Sequence, residues 1–126
     1  MLMTEKHPLR EKIQGFIDEI MALEGVEACA LVSRDGLVMG KCFEQHIPAS
    51  TFAAMSATML ASSEASASIV HIKPPHVVLA EADNATILVM GAGSGALITS
   101  LLNVSADITS VKGQLTELAR RIGEEV

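Results

Sequence analysis

Apolar residues recur at helical spacing near both ends of the chain. Behind Pro8, which suits a first helical position, one stripe is formed by Leu9, Ile13, Phe16, Ile17, Ile20 and Leu23. Near the C-terminus, a second stripe is formed by Ile108, Val111, Leu115, Leu118 and Ile122. Charged residues lie mostly off both stripes, so each segment is predicted to be a surface helix with one apolar face. Either Ser105 or Asp107 could cap the second helix.

A third helical segment runs from Pro48 to about Val70 and has no polar face. Its positions are mostly Ala, Ser, Met and Leu, and Glu64 is the only charged residue between His46 and His71. A helix that is apolar or small on all sides is buried on more than one side. A domain of this length has no second layer to cover the outer side, so the segment predicts contact with a partner chain.

Two short runs after the first helix predict a β-hairpin. The strands are expected near Glu27–Ser33 and Leu37–Glu44, joined at Asp35-Gly36. Asp-Gly favours a two-residue type I′ turn, because both central residues need positive φ. That turn places Val32 opposite Met39 and Cys29 opposite Cys42.

Three further strands are expected between Pro75 and the last helix. They are Val77–Ala82, Ala85–Met90 and Ala96–Leu102, joined by Asp83-Asn84 and by a glycine turn at Gly91–Gly95. The order is therefore α-β-β-α-β-β-β-α, in one domain over residues 1–126. We expect an α/β (α+β) three-layer sandwich with a five-stranded, mainly antiparallel sheet, one helix on one face and two on the other.

The two cysteines form a cross-strand thiol pair in this register. Cys29 and Cys42 would be close enough for a disulfide. Two buried, reduced thiols packed together are the alternative, and a cytosolic setting favours that alternative.

Composition narrows the classes of partner. Hydrophobic residues make up 49% of the chain and aromatic residues only 2%, and the net charge is −6 without any basic run. Nucleic acid and anionic membrane surfaces need concentrated positive charge, so neither is expected. The first residues, Met1 to Glu11, lack the apolar core of a signal peptide, which favours the cytoplasm.

One uncharged segment, Asn84–Ala106, could be read as membrane-spanning because Gly91 and Gly95 form G-x-x-x-G. Its glycines instead divide it into two short β-branched runs, so we expect no membrane insertion.

No residue pattern indicates catalysis, a cofactor or a metal. The run Gly91–Ala96 fits G-x-G-x-x-[G/A], but it lacks the helix and acidic strand end that a dinucleotide site requires. The four histidines and two cysteines lack metal-ligand spacing, and no serine lies in a nucleophile elbow. Arg34 is interpreted as a surface residue that flanks the turn. We therefore expect a protein that is not an enzyme.

The chain resembles the roadblock / dynein light-chain family. The resemblance rests on a leading amphipathic helix, then Leu23-Glu-Gly-Val26 and Leu31-Val-Ser-Arg-Asp-Gly-Leu-Val38, and then the small-residue helix Phe52–Glu64. It extends from Pro8 to Gly123 and is closest to the short, single-domain prokaryotic members. The resemblance implies a profilin/longin-like sandwich that forms homodimers or heterodimers.

In that family two sheets join edge to edge and the central helices pack together. Carried onto this chain, the resemblance implies that strand Val77–Ala82 and helix Phe52–Ala65 meet a second copy. The implied dimer interface is Phe52, Met55, Ser56, Met59, Ser62, Ser63, Val77, Val78, Leu79 and Ala80.

The resemblance further implies a regulatory or adaptor module that binds a small Ras-like GTPase. Two alternatives stay open at this point. One is a structural, light-chain-like scaffold subunit of a larger complex, and the other is a small-ligand sensor with an internal pocket.

Overall fold

A computed structural model describes residues 2–126 and the side chains of residues 8–126. Residues 1–7, on which the expected absence of a signal peptide partly rests, lie outside the described side chains. The helices are α1 (Leu2–Met21), α2 (Ala49–Ile69) and α3 (Ile108–Glu125). The strands are β1 (Val26–Ser33), β2 (Val38–Cys42), β3 (Val77–Glu81), β4 (Ala85–Ala92) and β5 (Ala96–Asn103).

The strands form one antiparallel sheet in the order β2-β1-β5-β4-β3, so β2 and β3 are its edges. One face packs against α1 and α3 through a core that includes Ile17, Leu31 and Leu115. The other face packs against α2 through a smaller core that includes Val32, Leu60 and Val89. The predicted element order and three-layer arrangement are confirmed.

The structure corrects one predicted helix start and decides another. Pro8 lies inside α1 rather than at its first position. It has no N–H to donate to the preceding turn, but its fixed φ is compatible with a helix. Asp107, not Ser105, caps α3, because its Oδ1 accepts a hydrogen bond from the Ser110 N–H at 3.1 Å.

The β1–β2 turn is longer than predicted. Ser33 N donates to Leu37 O and Gly36 N donates to Ser33 O, so three residues, 34 to 36, form the loop. Only Gly36 has positive φ there, at +90°. The two-residue type I′ turn was therefore the wrong prediction, and Val32 lies opposite Val38 rather than Met39.

A β-bulge next to the turn compensates for this shift. The register changes between Leu31 and Val32, so that Leu31 faces Gly40 and Cys29 faces Cys42. The extra loop residue and the extra bulge residue cancel, which is why the two cysteines lie opposite each other despite the different turn. Both are free thiols; Cys29 is buried and Cys42 is exposed.

This difference in burial predicts a difference in thiol reactivity. Burial, and then the neighbouring Cys42, raise the pKa of Cys29 to about 12. The reactive thiolate of Cys29 is therefore about a thousandfold scarcer than that of an ordinary thiol at the same pH. At pH 8, Ellman's reagent should label one thiol per native chain quickly and the second only after unfolding.

The variant Cys42→Ser should lose the fast reaction, whereas Cys29→Ser should keep it. Fast labelling of native Cys42→Ser would contradict the buried position of Cys29.

Candidate functional site

The outer face of α2 is exposed and uncharged. Met55 is 57% exposed and Ile69 is 76% exposed, and Ala61, Ser62 and Ala65 between them are also exposed. Beyond the helix, Val70 and Ile72 continue the apolar surface. Exposed apolar side chains in one continuous group, as here, are a common mark of a protein–protein interface.

The two flanks of α2 have different neighbours. A Cβ placed on Gly36 would lie 3.2 Å from Ala54 Cα and 3.7 Å from Ala57 Cβ, so the flank with these alanines packs on the β1–β2 turn. Met55 and Met59 lie one turn apart on the other flank. Phe52, on this second flank, packs against Phe43 just after β2, and Met59 and Val78 of β3 both pack against the core beneath α2.

The predicted interface residues divide into groups by exposure. Met55, Ser62 and Leu79 are the most open positions among them, with Met55 and Leu79 counted among the exposed large hydrophobic residues. The half-buried group includes Phe52, Met59, Ser63, Val77, Val78 and Ala80. The Phe52 ring packs edge-on against Phe43, with ring centroids 5.4 Å apart.

Ser56 is the exception, because it is buried in the chain's own core. Its Oγ lies 2.8 Å from Thr99 Oγ1 in a buried hydrogen bond beneath α2. Including Ser56 in an interface with a second chain was therefore wrong. With Ala and Ser on every side of α2, residue type alone does not separate its inner face from its outer face.

The two edges of the sheet differ in how well they could pair with another strand. β2 is interrupted opposite Leu31 by the bulge and carries the exposed Lys41. Bulges and lysines are devices that prevent pairing at an edge. β3 pairs with β4 without any register shift and offers the uncharged run Val77–Ala80. The β3 edge is therefore the one suited to receive a further strand.

The ladder also fixes which β3 groups face outward. Gly91 N donates to His76 O at 3.4 Å, and Ala82 N donates to Ala85 O at 2.9 Å. Because hydrogen-bonded pairs alternate along an antiparallel ladder, the even-numbered residues bond to β4. The backbone groups of Val77, Leu79 and Glu81 therefore point to the open edge.

Arg34 is more than a surface residue beside the turn, contrary to the sequence-based interpretation. Its Nε donates to Ala96 O at 3.0 Å and its Nη2 donates to Gly93 O at 2.8 Å, both in the β4–β5 turn region. Its Nη1 lies 3.2 Å from Glu64 Oε2 on α2. The guanidinium thus joins two hairpin turns to α2, and it pairs the one charge that α2 carries.

A groove of ≈ 700 Å³ lies beside this cluster at the end of the sheet. Its walls are the segment 73–77, the end of β4 and the α3 residues Lys112, Thr116 and Ala119. Since Arg34 and Glu64 pair with each other, Lys73 and Lys112 give the groove its positive charge.

Comparison with known proteins settles the family. A family model of the Roadblock/LC7 domain matches residues 12–101. The chain belongs to the Roadblock/LC7 family. A search of curated protein sequences gives no significant match.

Solved structures share the fold of this Roadblock/LC7 domain. Myxococcus xanthus MglB superposes with a TM-score of 0.84 at 14% identity, covering 91% of this chain and 87% of that one. The gliding protein MglB from Thermus thermophilus has a TM-score of 0.79 at 21% identity, covering 92% and 91%. A chain of the LokiProfilin1–rabbit actin complex has a TM-score of 0.63 at 19% identity, covering 92% and 97%, which shows the profilin-like character of the sandwich.

The described residues show neither a cluster of metal ligands nor a membrane-spanning helix. Within the described residues, His, Cys, Asp and Glu side chains form no group of three or more that could hold a metal ion. None of the helices described is both long enough and apolar enough to cross a membrane.

The Arg34 cluster makes a prediction about stability. Arg34→Ala removes hydrogen bonds to two main-chain carbonyl oxygens and leaves Glu64 unpaired, so the free energy of unfolding should fall by about 2–3 kcal/mol. Arg34→Lys should recover less than half of this loss, because an ammonium group cannot span the three acceptors.

Urea unfolding followed by circular dichroism measures the change, since the chain has no Trp or Tyr. All variants are compared at one protein concentration. The control is Arg120→Ala, whose ion pairs with Glu117 and Glu124 are exposed and should contribute little. Equal stability of Arg34→Ala and the wild type would contradict the role of Arg34 as a clamp.

Proposed function

We propose that this Roadblock/LC7 domain is a cytoplasmic, homodimeric regulatory or adaptor module whose partner is a small Ras-like GTPase. The observation that carries the proposal is the joint placement of the uncharged outer face of α2 and the open β3 edge. Both are uncovered in the single chain, and Met59 of α2 and Val78 of β3 pack against the same core beneath the helix.

A two-fold axis perpendicular to the sheet, next to β3, would cover both the strand edge and the outer face of α2 with a second copy. Two β3 strands would pair antiparallel, as an axis of this kind requires, and the sheets would continue into one another. Rotation about such an axis does not turn the sheet over, so the two α2 helices would lie on the same face of the joined sheet. Their Ala and Ser side chains would let the helices approach closely.

The proposed GTPase partner rests on family membership. Roadblock-like proteins bind or regulate small Ras-like GTPases, and this chain matches the family model over most of its length. The chain itself acts through binding in this proposal, without catalysing a reaction. A scaffold role in a larger complex would use the same dimer, so the nature of the captured partner separates the two functions.

A charge placed on the Met55 flank of α2 should weaken the dimer strongly. Met55→Arg would bury an unpaired guanidinium against the second α2, so the dimer dissociation constant should rise by about a hundredfold. The matched control is Gln114→Arg, an equally charged change at an exposed position of α3 on the opposite face of the sheet, and it should have a much smaller effect. Sedimentation equilibrium measures both.

The functional part is tested with the same proteins. The purified wild type should bind a Ras-like GTPase of its own organism in one nucleotide state more tightly than in the other, and Met55→Arg should bind it more weakly. A wild type that stays monomeric would overturn the dimer. A dimer that binds none of those GTPases in either state would overturn the GTPase partner.

A further inference from the structure

The β3–β4 turn and the groove at the sheet end have opposite charges. The acidic residues are Glu81, the last residue of β3, and Asp83 in the turn that follows, and both are exposed. The basic residues are Lys73, which precedes β3, and Lys112 on α3, and both line the groove. Among the described residues, none of these four side chains takes part in an ion pair within 4.0 Å.

An antiparallel partner strand brings the two regions together. Only the odd-numbered residues of β3 have outward backbone groups, so an odd-numbered residue must lie opposite an odd-numbered one. Centring the pair on Leu79 uses all of Val77–Glu81, whereas centring it on Val78 or Ala80 leaves strand residues unpaired at both ends. In the Leu79-centred register, Glu81 of a second copy lies opposite Val77.

The side of the sheet then decides what Glu81 would meet. Val77 packs into the core between the sheet and helices α1 and α3. Residues directly opposite each other in a ladder share a face, so Glu81 of the second copy would lie on the α3 side. Val77 and Lys112 line the same groove on that side.

Asp83 would follow two positions further along. Asp83 lies in the turn that the Ala82 N to Ala85 O hydrogen bond closes, and Lys73 precedes the start of β3 by four residues. In the Leu79-centred register, Asp83 of the second copy and Lys73 therefore lie at the same end of the strand pair.

We propose that the groove receives the acidic β3–β4 turn of a second copy, with Glu81 and Asp83 of one chain facing Lys112 and Lys73 of the other. The contact occurs twice by symmetry and holds the strand pair in the Leu79-centred register. It rests on the homodimer of the proposed function and adds the charged contact that specifies how the edges align.

Charge reversal on either side should weaken the homodimer. The turn variant combines Glu81→Lys with Asp83→Lys, and the groove variant combines Lys73→Glu with Lys112→Glu. In each, like charges meet at both ends of the strand pair, so the dissociation constant should rise by about tenfold or more at low salt. The wild-type dimer should itself weaken as salt is added.

Mixing the two variants gives the sharpest outcome. In a mixed pair the lysines of the turn variant meet the glutamates of the groove variant, and the second contact keeps its original charges. Two proteins that each associate poorly should therefore form a heterodimer, measured by native mass spectrometry. The control is Glu27→Lys with Glu44→Lys, which changes the net charge as the turn variant does but away from β3, and it should dimerise normally.

Since Lys112 is half-buried, the exposed pair Lys73→Glu and Asp83→Lys provides a second, milder mixing experiment, with circular dichroism confirming that each protein is folded. Homodimers unaffected by either reversal, or a mixture without heterodimer preference, would overturn the ionic contact and leave the dimer standing. A wild type that is monomeric would overturn the dimer itself.

Discussion

The contact between Arg34 and Glu64 constrains the rest of this structure. One guanidinium binds the carboxylate of α2 and two carbonyl oxygens of the β4–β5 turn, so it fixes the helix to both hairpins at one end of the sheet. It also neutralises the single charge of α2. An uncharged helix facing solvent is costly for a lone domain, and the sheet beneath this helix has an open edge at β3.

In the proposed dimer, the unequal edges of the sheet make the direction of assembly specific. A bulge and Lys41 disturb β2, whereas β3 is regular and uncharged over Val77–Ala80. The alternation of hydrogen bonds along β3 limits the possible registers further, since only its odd-numbered residues have backbone groups that point outward. In the contact we propose, the charged positions at the two ends of β3 favour one alignment among those that this alternation allows.

Much of the fold follows from local patterns in the sequence. The stripes behind Pro8 and after Asp107 predict one-faced helices, and turn residues such as Asp83-Asn84 separate strands that are present. The position of Cys29 opposite Cys42 was reasoned from a type I′ turn that does not occur, and a neighbouring bulge restores the register. Short-range turn preference does not reveal such a compensation, because the bulge depends on how β2 packs as a whole.

The Arg34 cluster and the inner face of α2 were beyond sequence reasoning for different reasons. The partners of Arg34 are mainly carbonyl oxygens about sixty residues away, and main-chain acceptors leave no residue-type signal. Ser56 belongs to the interface that the family resemblance implies, and because Ala and Ser occupy all sides of α2, residue type alone does not reveal that it faces inward. Glu64 was the one usable sign, as a lone acid on an uncharged helix indicates a nearby cation.

Amide hydrogen exchange at Leu79 tests the central claim most directly, because its N–H points away from β4. Nuclear magnetic resonance at high protein concentration should show this amide protected by about a hundredfold or more, with protection lost on dilution. The amides of Val78 and Ala80, which flank it, are the internal reference: Ala80 bonds to β4 at any concentration. A Leu79 amide that exchanges freely at every concentration, while Ala80 stays protected, would contradict pairing at the β3 edge.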